Sequence, residues 1–283
     1  MLKEERTVCY DKELKIERYR FKGIMQKFPN HFHEYYVIGF IESGERHLSC
    51  KNKEYNIGTG DLLLFNPMDN HTCEQIDDKT LDYRCINIKP EIMQKAVLEV
   101  LGKEYLPQFI TPVVFHSEQR SLLRELHIMI MEEQTDFQKE EIFLFLIKKL
   151  IEEYTVPLTL AEPVQINLEI KSICDYLENN FAERISLNDL SRLSRLNKYS
   201  LLRTFTKVKG ITPYRYLETV RVNKAKKLLE EGIEPVEVAM QTGFADQSHF
   251  TNFFKGFIGL TPKQYQNIFI EDISQIIFTR SQN

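Results

Sequence analysis

The chain has few cysteines, no long apolar run and no overall excess of positive charge. Cys9, Cys50, Cys73, Cys85 and Cys174 are odd in number and show no Cys-x-x-Cys spacing. That argues against a disulfide framework or a zinc finger and for reduced thiols in a cytoplasmic protein. No segment reaches the ~20 consecutive apolar residues that a membrane span needs. The charged start Met1-Leu2-Lys3-Glu4-Glu5-Arg6 leads into no apolar stretch of the kind a secretory leader carries. Neither export nor membrane insertion is expected. Net charge is only −4 over 283 residues, at first sight a poor match to a nucleic-acid binder. Divided at Val164, however, residues 165–283 hold 16 Lys+Arg against 13 Asp+Glu, leaving 21 against 28 for the rest. The two parts differ in sign, and the length allows about two domains.

What the chain does have is a repeat. Phe205, Gly210, Thr212, Pro213 and Tyr216 recur 49 residues later as Phe254, Gly259, Thr261, Pro262 and Tyr265. Internal similarity at such a period marks a supersecondary unit used twice. Threonine can cap a helix and proline suits its first turn, so each copy reads as a helix, a glycine stop and a new helix. That is the layout of a helix-turn-helix built twice. The copies are not identical: Ser191 aligns with Ala239 at an offset of 48, whereas Leu201 aligns with Phe250 at 49. The second turn therefore contains one extra residue, near Ala245.

Between about Leu14 and Pro90, short β-branched and aromatic runs such as Tyr35–Ile41 and Leu62–Phe65 alternate with turn signals, predicting a compact antiparallel barrel or sandwich. Spacing then shifts to three and four residues over 90–101, 117–134 and 138–154, predicting amphipathic helices with Leu122, Leu126, Met129 and Ile130 on one stripe and Ile142, Phe145, Leu146 and Leu150 on another. The 117–134 stripe has two readings, packing on the barrel or a dimer contact, and periodicity does not choose. Two prolines, Pro157 and Pro163, mark a domain boundary. Helices are expected beyond it at 166–180, 187–193, 198–209, 213–231, 235–242, 247–258 and 262–270, with 213–231 as a connector.

The repeat nominates two reader helices. In the first, Leu201, Phe205 and Val208 form the expected buried face, leaving Lys198, Tyr199, Leu202, Arg203 and Thr206 outside. In the second, Phe250, Phe253, Phe254 and Phe257 are expected in the core, with Gln247, Ser248, His249, Thr251, Asn252 and Lys255 flanking them. Side chains of these types pair with base edges and phosphates in a major groove. A solvated face is the plain alternative for either helix alone; the duplication favours double-stranded DNA as partner.

The segment Val238-Ala239, then Gly243-Phe244-Ala245-Asp246-Gln247-Ser248-His249-Phe250, Phe254-Lys255 and Gly259-Leu260-Thr261-Pro262, closely resembles the signature of AraC/XylS-type transcription regulators, and Arg221, Ala225, Leu228 and Leu229 fit that family's connector. The resemblance covers roughly residues 166–266. It implies two reader helices in successive major-groove faces about one helical turn apart, with contacts from Tyr199, Leu202 and Arg203 and from Gln247, Ser248, Thr251 and Asn252. It also implies RNA polymerase as a partner, an activating role and a homodimer. Ser191 and Arg195 depart from the small residue and glycine usual in the first turn, and Leu202 is apolar where a polar reader is common, which suits a thymine methyl.

The amino-terminal pattern resembles, more weakly, the cupin barrel usual as sensor in that family. Implied are a cupin-like ligand-sensing and dimerisation domain over 1–156, a linker over 157–165 and an all-α tandem helix-turn-helix domain over 166–283. Candidate effector ligands are His31, His33, Tyr35, His47 and His71. Strand alternation would set His31, His33 and Tyr35 on one side. Metal-binding cupins add a glutamate where this chain has Val37, so no metal, cofactor or enzymatic activity is expected. Two alternatives stay open: a metal-dependent cupin enzyme with a helical appendage, and a DNA-binding regulator with no effector.

Overall fold

Short runs of Val, Ile, Leu, Tyr and Phe before Pro90 fold as strands: β1 (Glu5–Asp11), β2 (Ile16–Ile24), β3 (Phe28–His31), β4 (Tyr36–Ser43), β5 (Arg46–Cys50), β6 (Lys53–Ile57), β7 (Leu62–Phe65), β8 (His71–Gln75) and β9 (Leu81–Ile88). Helices α1 (Pro90–Leu101), α2 (Arg120–Met131) and α3 (Phe137–Tyr154) follow, with the two-residue β10 (Val113–Val114) between the first two. The computed structural model describes residues 4–76, 79–131, 137–155, 168–244 and 246–269, with backbone alone at Phe137, Lys198 and Tyr199. Contacts divide the chain into two compact units, Met1–Lys27 with Phe32–Glu162, and Phe28–His31 with Pro163–Asn283. The division at Glu162 falls within the proline-bearing stretch 157–165, which lies outside the described residues.

The amino-terminal unit holds two antiparallel sheets. One runs β1-β2-β9-β4-β7-β10 and the other includes β8-β5-β6. The expected β domain is present as these sheets; their ladders do not close into a single ring. In β5 burial alternates, Arg46, Leu48 and Cys50 being buried and His47 and Ser49 less so, as period-two geometry requires. In β4 it does not, because the strand is covered on both faces: Tyr36 through Ile41 are all buried. The helices cover one of those faces. Ile38, Phe40, Leu62, Leu64 and Ile86 of the sheet share a core with Leu123 and Leu126 of α2 and Leu146 and Leu150 of α3. The stripe on α2 therefore packs on the sheet. On α3, Ile142, Leu146 and Leu150 are buried as expected and are joined by Phe143 and Ile147, whereas Phe145 is 53% exposed.

The carboxy-terminal unit is helical: α4 (Leu168–Asn179), α5 (Leu187–Ser194), α6 (Lys198–Lys209), α7 (Pro213–Glu230), α8 (Pro235–Gln241) and α9 (Gln247–Ile258), then a helix over 262–269. Their limits follow local chemistry. Ser186 and Asp189 form a capping box at α5, and the side chains of Asn197, Thr212 and Asp246 accept the backbone N–H of Ser200, Arg215 and His249. Both reader helices stop at a left-handed glycine, Gly210 at φ +72° and Gly259 at φ +88°. The repeat also extends to packing. Phe205 meets Tyr216 and Phe254 meets Tyr265, each at 5.6 Å between ring centroids and edge to face.

Candidate DNA-reading helices and effector pocket

The helix-turn-helix geometry is set by what is buried beneath α6 and α9. Leu201 and Phe205 of α6 are in the core. Val208 is not: it is 50% exposed, so the buried stripe of α6 ends a turn earlier than the sequence spacing predicts. In α9, Phe250, Phe254 and Phe257 are buried, whereas Phe253 is only half-buried. Arg215 of α7 covers it, with its guanidinium carbon 5.6 Å from the ring centroids of both Phe253 and Phe257.

These faces leave the expected readers outside. Arg203 is exposed, while Leu202 and Thr206 are half-buried. On α9, Gln247, Ser248, His249, Asn252 and Lys255 are exposed and Thr251 is half-buried. His249 also packs on the scaffold, its ring 5.6 Å from Phe244 and 6.0 Å from Phe253. Lys198 and Tyr199 lie in the first turn of α6, but their side chains are outside the described set.

The turns explain the one-residue difference between the modules. Arg195 holds a left-handed corner at φ +57° and the cap Asn197 follows two residues on; in the second module Gly243 takes φ +76° and the cap Asp246 follows three on. Ser191 stabilises the first corner through its hydroxyl, which donates to the Leu196 carbonyl at 2.6 Å. The connector α7 is tied to the first module by Arg221, which donates to the carbonyls of Phe181 and Glu183 at 2.8 and 3.0 Å. Lys226 of this helix is buried, its ammonium 5.2 Å from the Tyr265 ring centroid.

His33, Tyr35 and His71 cluster. His33 stacks on Tyr35 at 4.8 Å and lies 5.2 Å from His71, which in turn stacks on Phe65 at 4.1 Å. Residues 32–35 are not a strand, so the alternation expected from His31 to Tyr35 does not operate. His31 ends β3, within the segment that groups with the carboxy-terminal unit, where its ring meets Phe257 edge-on at 5.2 Å. His47 is on the outer face of β5, bonded to Asn56 and 2.9 Å from Glu54, because its neighbours Arg46 and Leu48 take the inner face.

Burial drives the His71 imidazole down to about pKa 4. Its Nδ1–H donates to the Asp69 carbonyl at 2.9 Å, and the ring is neutral at pH 7. Val37, at the position of a cupin glutamate ligand, is buried and apolar.

The sequence reading missed the polar set beside this cluster. Register pairs Glu17 with Asn87, Asn87 with Val37 and Val37 with Phe65, placing all four on the sheet face away from the helices. Glu17 accepts hydrogen bonds from Asn87 and from the Tyr19 hydroxyl, at 3.1 and 3.0 Å. Burial, then the Glu17 carboxylate and Tyr35, push the Tyr19 phenol well up. Two polar residues separated by one on a strand, Glu17 and Tyr19, were the available signal.

Comparison with known proteins agrees with both halves. A family model described as AraC-like ligand binding domain matches residues 13–146, and one described as helix-turn-helix domain matches 190–268. The chain is 57% identical over 249 residues to an uncharacterized HTH-type transcriptional regulator of Bacillus subtilis, YbfI, covering 88% of this chain and 90% of that protein. It is 27% identical to the HTH-type transcriptional activator RhaS of Klebsiella pneumoniae, over 83% of this chain and 86% of that one. Among solved structures, apo ToxT from Vibrio cholerae shares the fold, with a TM-score of 0.57 at 15% identity, covering 92% of this chain and 99% of that chain.

Proposed function

This chain belongs to the AraC family of helix-turn-helix transcription regulators, with an AraC-like ligand-binding domain ahead of its DNA-binding domain, and we propose that it is an effector-controlled, cytoplasmic activator that reads DNA through α6 and α9. The observation that carries the reading is the pair of equally long, capped helices, each anchored by a Phe–Tyr contact and each turning polar side chains outward. Arg203 and Leu202 form the first reading set, Lys198 and Tyr199 joining them from the first turn; Gln247, Ser248, Thr251 and Asn252 form the second, with His249 and Lys255 at its margin. An activating role is supported by the likeness to RhaS. A homodimer and contact with RNA polymerase complete the proposal.

The proposed effector site is the sheet face holding Glu17, Tyr19, Asn87 and Phe65, next to His33, Tyr35 and His71. Apolar walls with a few convergent polar groups suit a small organic molecule. The ligand shifts transcription only if it prefers one of two arrangements of the protein. Selection of bound DNA from a random pool, with and without metabolite extract, tests both parts. Enrichment of an asymmetric site of two half-sites about one helical turn apart is expected, with its yield changed by the extract. A pool without enriched sequence would refute the DNA-reading assignment, and enrichment insensitive to any extract would refute the effector.

A further inference from the structure

Arg18 on β2 has no solvent-accessible surface, and all three of its guanidinium nitrogens are without a hydrogen-bond partner. A buried ion left unpaired is costly, and such groups normally find a counter-charge. Register locates it: Arg18 lies opposite Ile86, and Ile86 opposite Ile38, on the sheet face covered by α2 and α3. This is the reverse side of the sheet from the Glu17 and Asn87 row.

The neighbourhood is cationic. Arg20, two residues along the same strand face, lies directly opposite Arg84 of β9, a like-charge pairing that a sheet disfavours. Arg84, Arg120 and Arg124 all converge on one carboxylate, Glu42, at 3.6, 3.0 and 2.9 Å. Arg20 reaches Glu5 only at 3.8 Å. Asp11, on the matching face of β1, is held by Lys139 at 2.7 Å, and Cys9 opposite Arg18 brings a thiol. Among the described residues, four guanidiniums thus share two carboxylates, and Arg18 pairs with neither.

A second orphan stands at the same seam. His127 of α2 is fully buried, and its Nε2–H donates to the Tyr19 carbonyl at 3.0 Å, leaving Nδ1 without a partner. Burial, with Arg18, Arg84 and Arg20 adding repulsion, lowers this imidazole to about pKa 3. Exposure is graded from the outside inward: the side chain of Arg20 is 28% accessible, that of Arg84 18%, and Arg18 not at all.

We propose that Arg18, with Arg20 and Arg84, forms a binding site for a small oxyanion, a phosphate or a carboxylate, at the seam between the sheet and α2. The planar guanidinium of Arg18 can donate to two oxygens side by side, a geometry specific to such groups. Arg20 and Arg84 form the outer lip and draw the anion inward. The site stands independently of the DNA-reading assignment and of the organic effector pocket on the other face.

Thermal unfolding of the full chain tests it, with sodium phosphate, sodium acetate and sodium chloride compared at equal ionic strength. Phosphate or acetate is expected to raise the midpoint saturably, by about 3 °C over chloride at ten times its half-saturating concentration, as binding to the folded state alone requires. Whichever probe acts identifies the class. Arg18→Met is expected to abolish the saturable shift while melting in chloride no lower than wild type, since it removes an unpaired charge. Arg20→Gln, on the accessible lip, keeps the fold and is expected to raise the half-saturating concentration about tenfold. Equal responses of wild type and Arg20→Gln, or no saturable shift with either oxyanion, overturn the proposal, as does an Arg18→Met protein that still responds.

Discussion

Arg195 and Gly243 occupy the same left-handed corner in the two modules, at φ +57° and +76°. Only the second corner demands glycine for space: a Cβ on Gly243 would stand 2.6 Å from the backbone carbonyl oxygen of Ala182. In the first corner an arginine is tolerated, with backbone strain as its cost.

The two corners should therefore respond oppositely to substitution. Arg195→Gly relieves the strain but loosens the unfolded chain, for a net gain of about 0.5 kcal/mol. Gly243→Ala combines positive φ with a clash against backbone and should lose about 2 kcal/mol or more. Urea unfolding midpoints of the two variants check the contrast; equal losses would remove it.

Within the reader helices, base reading and phosphate contact separate by experiment. Arg203→Ala is expected to relax base preference at one position and cost about 1–3 kcal/mol of specific binding. Lys255→Ala should weaken all sites alike and lower the slope of log affinity against log salt by about 0.9. Binding-site selection and salt titrations of both variants decide; unchanged preference in Arg203→Ala would show that α6 does not read bases there.

The duplicated tyrosines carry equivalent hydrogen bonds. Tyr216 donates to Glu178, and Tyr265 donates to Glu230 at 2.9 Å. Replacing either by Phe leaves a half-buried carboxylate short of a donor, and each should cost about 1–2 kcal/mol. Phe205→Ala or Phe254→Ala, which empties the core beneath, should cost about 3–5 kcal/mol. Chemical denaturation of the four variants measures the ranking, and a Tyr→Phe loss as large as the Phe→Ala loss would contradict it.

Acid should destabilise the sensor unit through its buried histidines. His71 has a folded pKa of about 4 and His127 about 3, both depressed by burial below the ordinary value. The unfolded chain then binds protons that the folded one refuses. Stability is full above about pH 6.5 and falls as pH drops toward 4, with His71 alone accounting for about 2 kcal/mol by pH 4.5. His71→Phe should flatten that part of the pH dependence in denaturation midpoints measured from pH 7 to 4.5. An unaltered slope would mean that His71 is protonated in the folded protein.

The helical half was legible because its signals are local. Thr212-Pro213 and Asn197 start helices, Gly210 and Gly259 stop them, and Phe205 and Phe254 mark the buried stripe, so the element limits there match the spacing to within one or two residues. Where the expectation slipped, at Val208 and Phe253, burial depends on which neighbouring helix covers the position. The sensor half was legible only as β structure followed by helices. Alternation predicted a shared face for His31, His33 and Tyr35, but residues 32–35 leave strand geometry, and His47 falls on the outer side of β5.

Sequence alone determined the duplicated reader scaffold and the β-then-helix order, since caps, stops and periodicity act over a few neighbouring residues. Only tertiary structure decided which polar side chains face each other across strands. Glu17 meets Asn87 from 70 residues away, and Arg20 faces Arg84 while Arg18 is buried. Strand register and helix packing create those meetings, and neither is written in the spacing of any single segment.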